Sequence, residues 1–349
     1  MKIMYVDAST DGHHLAYLNS LLQVAPSDSF AVLPECERSV DGRCRMISKP
    51  AIRKISGYWT WINKLKKIAK EEQPDIVHFL DGDSIMRYFG WGLSKFRPYN
   101  VVVTYHHFFP GKLREISLKQ MLRKAKVGVF HTEEIANKVR DFGCKNVRCI
   151  SYPCFLRIPI HPEDEYKNDP PVLLALGGTR YDKGLDILLE ALKRVEQPFR
   201  LIIAGQEMDF DEKYIKEAAC SYRSCVEWNL HFLTEQELID FLQSSDIIVL
   251  PYRKCFDGAS GPMCEGVYLG KMIIGPSHGS LGKLIVQHHV GCTFKSEDIA
   301  DLTKVLNDAL KKPFGYDETA IQYQKSLQPE VFQESYFCMY RGIECKGKK

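Results

Sequence analysis

Short apolar runs alternate with helical patterns along nearly the whole chain, joined by turns that carry glycine or acidic residues. The series opens with Lys2–Asp7 (KIMYVD), the turn Ala8-Ser9-Thr10-Asp11-Gly12 and a helical pattern from His13 to Leu22. Strand-like runs recur at Phe30–Leu33, Cys44–Ser48, Asp75–Leu80, Asn100–Tyr105, Val127–His131 and Asn146–Ile150, with helical patterns at Gly57–Lys70 and Glu133–Phe142. Parallel strands need long crossovers, so this alternation predicts doubly wound parallel sheets of the α/β class. Ligands of such sheets bind outside the carboxyl ends of the strands. That rule nominates Gly12, Asp83, His106 and His107, which stand just beyond apolar runs. Neighbours on an extended chain point to opposite faces, so at most one of the two histidines would face a ligand.

A proline-rich stretch, Pro153 to Pro171, reads as a linker, and a second series starts at once. Val172–Leu176 runs into Gly177-Gly178-Thr179-Arg180-Tyr181-Asp182-Lys183-Gly184 and then a helical pattern, Leu185–Val195. Arg180 and Lys183, near exposed backbone amides, can hold a diphosphate and stabilise it as a leaving group. The spacing is not that of a P-loop, and the single glycine of the first turn excludes a dinucleotide GxGxxG. Arg200–Gly205 and Val226–Leu233 read as strands, Glu212–Tyr222 as a helix, and Thr234 to Glu237 as a capping box.

Residues 246–275 form the most informative segment: a buried strand Asp246–Leu250, a polar loop, a helix opening near Ser260 and a strand Met272–Gly275. Gly258-Ala259-Ser260-Gly261-Pro262 leaves amides uncovered where a helix begins, which suits a phosphate. Asp257 and Glu265 put one carboxylate in the loop and the other about one turn inside the helix. A phosphate seat beside a carboxylate able to accept sugar hydroxyls suggests a nucleotide-sugar pocket, while an ordinary strand–loop–helix unit with a serine cap accounts for the same residues. Gly291–Phe294 and Glu297–Lys311 then read as strand and helix, two further helical segments run up to Gly342, and Lys346–Lys349 is a frayed tail.

At 349 residues the chain is expected to hold two domains. No apolar run reaches the ~20 residues of a membrane span, and no signal peptide precedes the first strand. The 12 cysteines show no metal-ligand spacing and read as reduced, cytosolic thiols. Charge is uneven: residues 51–126 carry 15 Lys/Arg against 6 Asp/Glu, which suits an anionic membrane surface, an acidic substrate or merely solvated helix faces. Trp59 and Trp61 lie two apart on a helical pattern, so they do not share a face, and at least one belongs in a core.

Taken in order, GGTRYDKGLDILLEAL, RLIIAG, LTEQELIDFLQSSDIIVLPY and the acidic-x7-Glu loop with SGP resemble the retaining glycosyltransferases of family four. The match is close from Leu173 to about Leu310. It is weaker in the first half, carried by DGHHLAYLNSLL, VVVTYHH and VGVFHTEEIANKV. The resemblance implies a GT-B fold, two Rossmann-like domains facing a central cleft: residues 1–158 for the acceptor, 159–327 for the nucleotide-sugar donor, and a helix at about 328–345 packing back on the first. It implies metal-independent transfer, with retention, from a nucleotide diphosphate sugar to a glycan or lipid-linked acceptor. No cofactor and no nucleic acid are implied, and the expected location is the cytoplasm, with room for peripheral membrane contact. By position, Lys183 would bind the diphosphate with Arg180 and Gly178, and Glu265 would hold ribose hydroxyls. Ser260, Gly261 and Pro262 would form the phosphate seat, Gly12 would lie near the donor phosphates, and His106 would approach the transferred sugar. Two departures stand out. Asp257 occupies the place of the family's first glutamate, and Arg180 sits three before Lys183 where many members have arginine five before. A catalytically silent GT-B domain and a sugar-nucleotide epimerase are the rival readings.

Overall fold

The computed structural model describes residues 1–10, 13–37, 40–107, 111–156, 158 and 168–345. Gly12, most of the proline-rich stretch and the tail Lys346–Lys349 lie outside them. The chain divides into two compact units, Met1–Ser151 with Pro329–Lys349, and Tyr152–Gln328.

The first unit holds seven strands: β1 (Ile3–Val6), β2 (Phe30–Pro34), β3 (Cys44–Ile47), β4 (Ile76–Phe79), β5 (Asn100–Tyr105), β6 (Val127–Phe130) and β7 (Val147–Cys149). They pair in parallel in the order β3-β2-β1-β4-β5-β6-β7. Helices cover both faces of such a sheet, which is why β1, β2 and β4 are buried along their whole length rather than alternating. His78, in the middle of β4, is a polar residue in that core. It is satisfied by Tyr340 Oη at 2.6 Å from Nδ1 and Thr104 Oγ1 at 2.8 Å from Nε2. Tyr336 Oη bonds Thr104 Oγ1 at 2.9 Å and Tyr17 Oη, so the helix Pro329–Cys345 is held to this unit by a buried polar network.

On the helix Ile55–Glu72, Trp61 is buried, whereas Trp59 is half-buried beneath Lys95, whose Nζ lies 4.6 Å from the ring centroid. The exposed face of that helix carries Lys64, Lys66 and Lys67. The helix Lys112–Leu122 separates β5 from β6. Asp81-Gly82-Asp83 opens a short helix, Gly82–Met86, with Asp81 Oδ1 accepting from Ser84 N at 3.1 Å.

The second unit holds β8 (Val172–Leu176), β9 (Arg200–Ala204), β10 (Val226–Asn229), β11 (Ile247–Val249), β12 (Met272–Pro276) and β13 (Gly291–Phe294), all parallel, in the order β10-β9-β8-β11-β12-β13. The strand order reverses between β8 and β11, the place where an open α/β sheet leaves a crevice for ligands. The capping box at Thr234 is present: its hydroxyl accepts from Glu237 N at 3.2 Å, and Glu237 accepts from Thr234 N at 2.8 Å. Among the described residues no helix is long and apolar enough to cross a membrane.

Candidate functional site

In the second unit the loops after β8 and β9 touch. A Cβ on Gly205 would stand 2.3 Å from the Gly177 carbonyl oxygen, and Gly177 itself sits at φ +113°, a conformation side chains disfavour. Thr179 stitches the two loops together: its hydroxyl donates to Phe210 O at 2.7 Å and accepts from Met208 N at 2.8 Å. A Cβ on Gly178 would meet the Met208 sulfur at 2.9 Å, so this position has no room for a side chain without a shift of that methionine.

The chain then makes one tight turn, Tyr181–Lys183, ended by Gly184 at φ +66°. A Cβ on Gly184 would lie 2.0 Å from Pro251 O, so the turn presses against the loop that follows β11. Lys183 is thereby laid over two rings of that loop, its Nζ 3.7 Å from the Tyr252 centroid and 4.3 Å from the Phe256 centroid. Burial, reinforced by the nearby Arg180 charge, pulls its ammonium down to a pKa of about 7. Such a lysine is a weakly solvated cation that gains charge when an anion arrives. Arg180 is held in a fork by Asp182, with Nε to Oδ1 at 2.9 Å and Nη2 to Oδ2 at 2.6 Å.

The turn is fixed from the other side by Arg253, a residue without a periodic sequence signal. Its Nη1 donates to Tyr181 O at 2.7 Å and to Asp186 Oδ1 at 2.9 Å, and its Nη2 donates to Asp186 Oδ2 at 2.6 Å. The backbone N of Arg253 also donates to Asp182 O at 3.0 Å. Side chain and main chain together lock the lysine turn to the β11 loop.

Tyr252 links the lysine to the helix Gly261–Tyr268: its ring lies under Nζ and its hydroxyl is 3.2 Å from Ser260 Oγ. Ser260 caps that helix, accepting from Met263 N at 3.4 Å, and Pro262 takes a first-turn position where its missing N–H costs nothing. Gly177 faces this end of the helix, since a Cβ there would lie 3.9 Å from Pro262 Cγ. Glu265 is half-buried, with no protein hydrogen bond to its carboxyl among the described residues, and burial raises its pKa to about 7. Gly177, Gly178, Thr179, Lys183 and Tyr252 also line a small cavity of about 20 Å³.

Asp257 follows Phe256, whose ring lies under Lys183, and its carboxylate is engaged by a neighbouring helix. Its Oδ1 accepts from Ser280 N at 3.1 Å and Ser280 Oγ at 2.8 Å, so it caps the neighbouring helix Gly279–Gln287. Lys183, Gly178, Ser260, Gly261, Pro262 and Glu265 are thus gathered around Tyr252, with Arg180 beside them in its ion pair and Asp257 engaged at another helix terminus. Arg253 and Thr179 are the positioning residues that sequence reasoning passed over. Only the loop geometry reveals them.

In the first unit, His106 is buried at the end of β5, its Nε2 bonded to Leu80 O at 2.9 Å. The rings of His13, Tyr17 and His131 pack around it with centroids 5.0–5.2 Å away. Burial and the neighbouring imidazoles hold its pKa well below 6.5, so it is neutral, with Nδ1 an acceptor that has no partner among the described residues. Asp83 Oδ2 accepts from the amides of His106 at 3.0 Å and His107 at 3.1 Å and fixes this strand end. Asp7, His14 and Asp81 offer ligand atoms within 4.8 Å of one another at the β1–β4 reversal. His14 is already bonded to Asp7 at 2.9 Å, and Asp81 caps the helix that follows β4. Gly12 falls outside the described residues.

Comparisons with known proteins bear on the family and the fold. Residues 157–327 match the family model "Glycosyl transferases group 1", and residues 22–154 match "Glycosyltransferase Family 4". Curated relatives include D-rhamnosyltransferase WbpZ of Pseudomonas aeruginosa, 27% identical over 59% of this chain and 53% of that protein. The uncharacterized glycosyltransferase MJ1178 of Methanocaldococcus jannaschii is 24% identical over 54% of this chain and 52% of its own. The chain spans about half the length of these curated relatives. Among solved structures, sucrose-phosphate synthase from Thermosynechococcus elongatus superposes with a TM-score of 0.78 at 15% identity, covering 99% of this chain and 100% of that one. Anabaena Alr3699/HepE in complex with UDP gives a TM-score of 0.74 at 12% identity, covering 98% and 100%. At these identities the likeness establishes the GT-B fold.

Proposed function

Because the chain belongs to the group 1 glycosyltransferases, we propose that it moves a sugar from a UDP- or GDP-sugar to a hydroxyl of a glycan or lipid-linked acceptor, with retention at the anomeric carbon. The bond from C1 to the β-phosphate oxygen breaks as the acceptor oxygen bonds to C1 on the same face. The acceptor's proton passes to the departing phosphate oxygen, so no protein nucleophile is needed. Lys183, with the amides that open the helix Gly261–Tyr268, meets the charge developing on the leaving diphosphate. Glu265 accepts the ribose hydroxyls. No metal enters this step, since the lysine and the helix terminus supply the positive charge.

The observation that carries the reading is the Tyr252 bridge, with Lys183 3.7 Å above its ring and Ser260 Oγ 3.2 Å from its hydroxyl. It puts a latent cation beside a helix N-terminus at the strand-order reversal. The UDP held by the Anabaena neighbour supports uracil as the first nucleobase to try. We place the reaction in the cytoplasm and in surface-polysaccharide assembly. Peripheral membrane contact through the basic segment 51–126 is part of this reading, supported by its excess of Lys/Arg.

A second reading, a silent domain that binds sugar nucleotides without turning them over, is favoured by one observation: the Asp257 carboxylate is engaged by Ser280. A panel of UDP- and GDP-sugars, each incubated without acceptor and followed by proton NMR, separates the two. Slow release of free sugar, first seen in the donor's own anomeric configuration, is the expected result. Tight nucleotide binding with no sugar release from any donor would favour the silent domain.

A further inference from the structure

Leu113, at 72% exposure, is the most exposed large apolar side chain among the described residues, and Ile116, at 47%, stands about one turn further along the same helix, Lys112–Leu122. Positions three apart share a helix face. The opposite face is spent on the core of the first unit, with Leu118, Met121 and Leu122 buried and the Ser117 hydroxyl donating to Met86 O. Lys112 lies four residues before Ile116 and Arg123 seven after it, spacings that keep both on the outer face. Both are exposed, and neither has an ion pair among the described residues. Two apolar side chains side by side and rimmed by cations have the composition of a docking face. Trp91, also exposed, is tied to the same helix: it follows Gly90, where a Cβ would stand 2.6 Å from Met121 Cγ.

The surrounding charge is one-sided. Residues 87–126 hold nine Lys/Arg against one acid, Glu115, whose carboxylate is met by Lys119 at 3.1 Å. The neighbouring helix Glu133–Asp141 adds three acids and two bases, which leaves the excess standing. The helix Ile55–Glu72, by contrast, turns Trp61 inward and presents one exposed large apolar residue, Ile55, at its first position. We propose that the helix Lys112–Leu122 seats the first unit on an anionic lipid surface. Leu113 and Ile116 enter the boundary between headgroups and acyl chains, and Lys112 and Arg123 meet lipid phosphates. A second copy of the chain is a poorer occupant, because a symmetric contact would set the same cations against one another. The proposal deepens the membrane contact of the reading above and rests on that reading; it adds that charge alone does not do the seating.

The test is sedimentation of the whole protein with vesicles of phosphatidylcholine, alone or mixed with phosphatidylglycerol at about three to one. The mixed vesicles should bind it about tenfold or more tightly than the neutral ones. Leu113→Ser combined with Ile116→Ser keeps every charge and should weaken binding to mixed vesicles about ten- to a hundredfold. Lys112→Gln combined with Arg123→Gln should weaken it about tenfold or more. All four positions are exposed, so an unchanged melting temperature is expected and shows the variants folded. Equal binding by wild type and the serine variant would leave charge alone as the cause and overturn the proposal. No binding to either vesicle would overturn it too, as would a dimer that the serine substitutions break. A UDP titration of the same protein separates the failures: UDP bound with vesicles ignored overturns only the docking face, whereas vesicles bound with UDP and GDP both ignored counts against the transferase reading.

Discussion

Replacing Lys183 by methionine should make the ligand-free protein more stable while removing its hold on a diphosphate. The ammonium is depressed from 10.5 to about 7, chiefly by burial. At about 1.4 kcal/mol per pH decade, the charged form is penalised by on the order of 5 kcal/mol. Lys183 is only half-buried, and solvent screening reduces this to roughly 2 kcal/mol. Against it stands the attraction of the cation for the Tyr252 and Phe256 rings, about 0.5–1 kcal/mol, part of which a thioether over the same rings retains. The net gain is ~1 kcal/mol, or about 2–4 °C in the melting temperature of a unit this size. The sign depends on pH. The folded-state pKa lies below the unfolded one, so the lysine's penalty is fully present below about pH 7 and fades as pH rises toward the unfolded value. Scanning calorimetry at pH 6.5 and 9.5 reads both points. Lys183→Met should melt higher at pH 6.5, with the gap narrowed at pH 9.5. A variant less stable at pH 6.5, or a gap that does not shrink, would refute the view that Lys183 is a desolvated cation kept for an anionic ligand.

Nucleotide affinity should itself depend on pH. A bound diphosphate raises the Lys183 pKa from about 7, so the contact is fully formed below pH 7 and is lost as pH rises through the bound-state value. Titrations above pH 7 in buffers of different ionisation enthalpy should show proton uptake, absent in Lys183→Met. Glu265 acts in the opposite sense: hydroxyls that bond its ionised form lower its pKa from about 7, so Glu265→Gln should remove a proton release seen near pH 6.5. Far from this site, Tyr336→Phe deletes the hydroxyl shared by Thr104 and Tyr17 and should cost about 1–3 kcal/mol of stability. That loss would appear as a lower melting temperature with nucleotide affinity unchanged; unaltered stability would show that the buried network contributes nothing.

Much of this molecule was legible before any coordinates. Asn100–Tyr105, Val172–Leu176 and Gly291–Phe294 have in the structure the bounds that the sequence predicts; the first two are buried almost throughout and declare themselves as apolar runs, whereas the third is an edge strand with only Phe294 buried. Ser260 read as a helix cap because serine, glycine and proline stand in the order a helix entry requires. The helix Gly279–Gln287 escaped notice for a physical reason. Glycines at 279 and 282 argue against a helix by propensity, yet a Cβ on Gly282 would stand 2.5 Å from the Ser277 carbonyl carbon, so close packing selects glycine there. The engagement of Asp257 with Ser280, and of Arg253 with Asp186, joins positions 23 and 67 apart along the chain. No local pattern encodes such partners. Spacing places Asp257 in the loop and Glu265 inside the helix, and the structure adds that the Asp257 carboxylate accepts from Ser280.

The central claim is that the second unit grips a diphosphate through Lys183 and the Ser260-capped helix. Its most direct test is a paired titration of nucleoside diphosphates and monophosphates of the same base, uracil first and then guanine and adenine, against wild type and Lys183→Met. For the base that binds, the diphosphate should be favoured by about tenfold or more, the worth of one charge-assisted contact, and that margin should vanish in the variant. Equal affinity for the two nucleotides in wild type, or a margin that survives the loss of Lys183, would contradict the account.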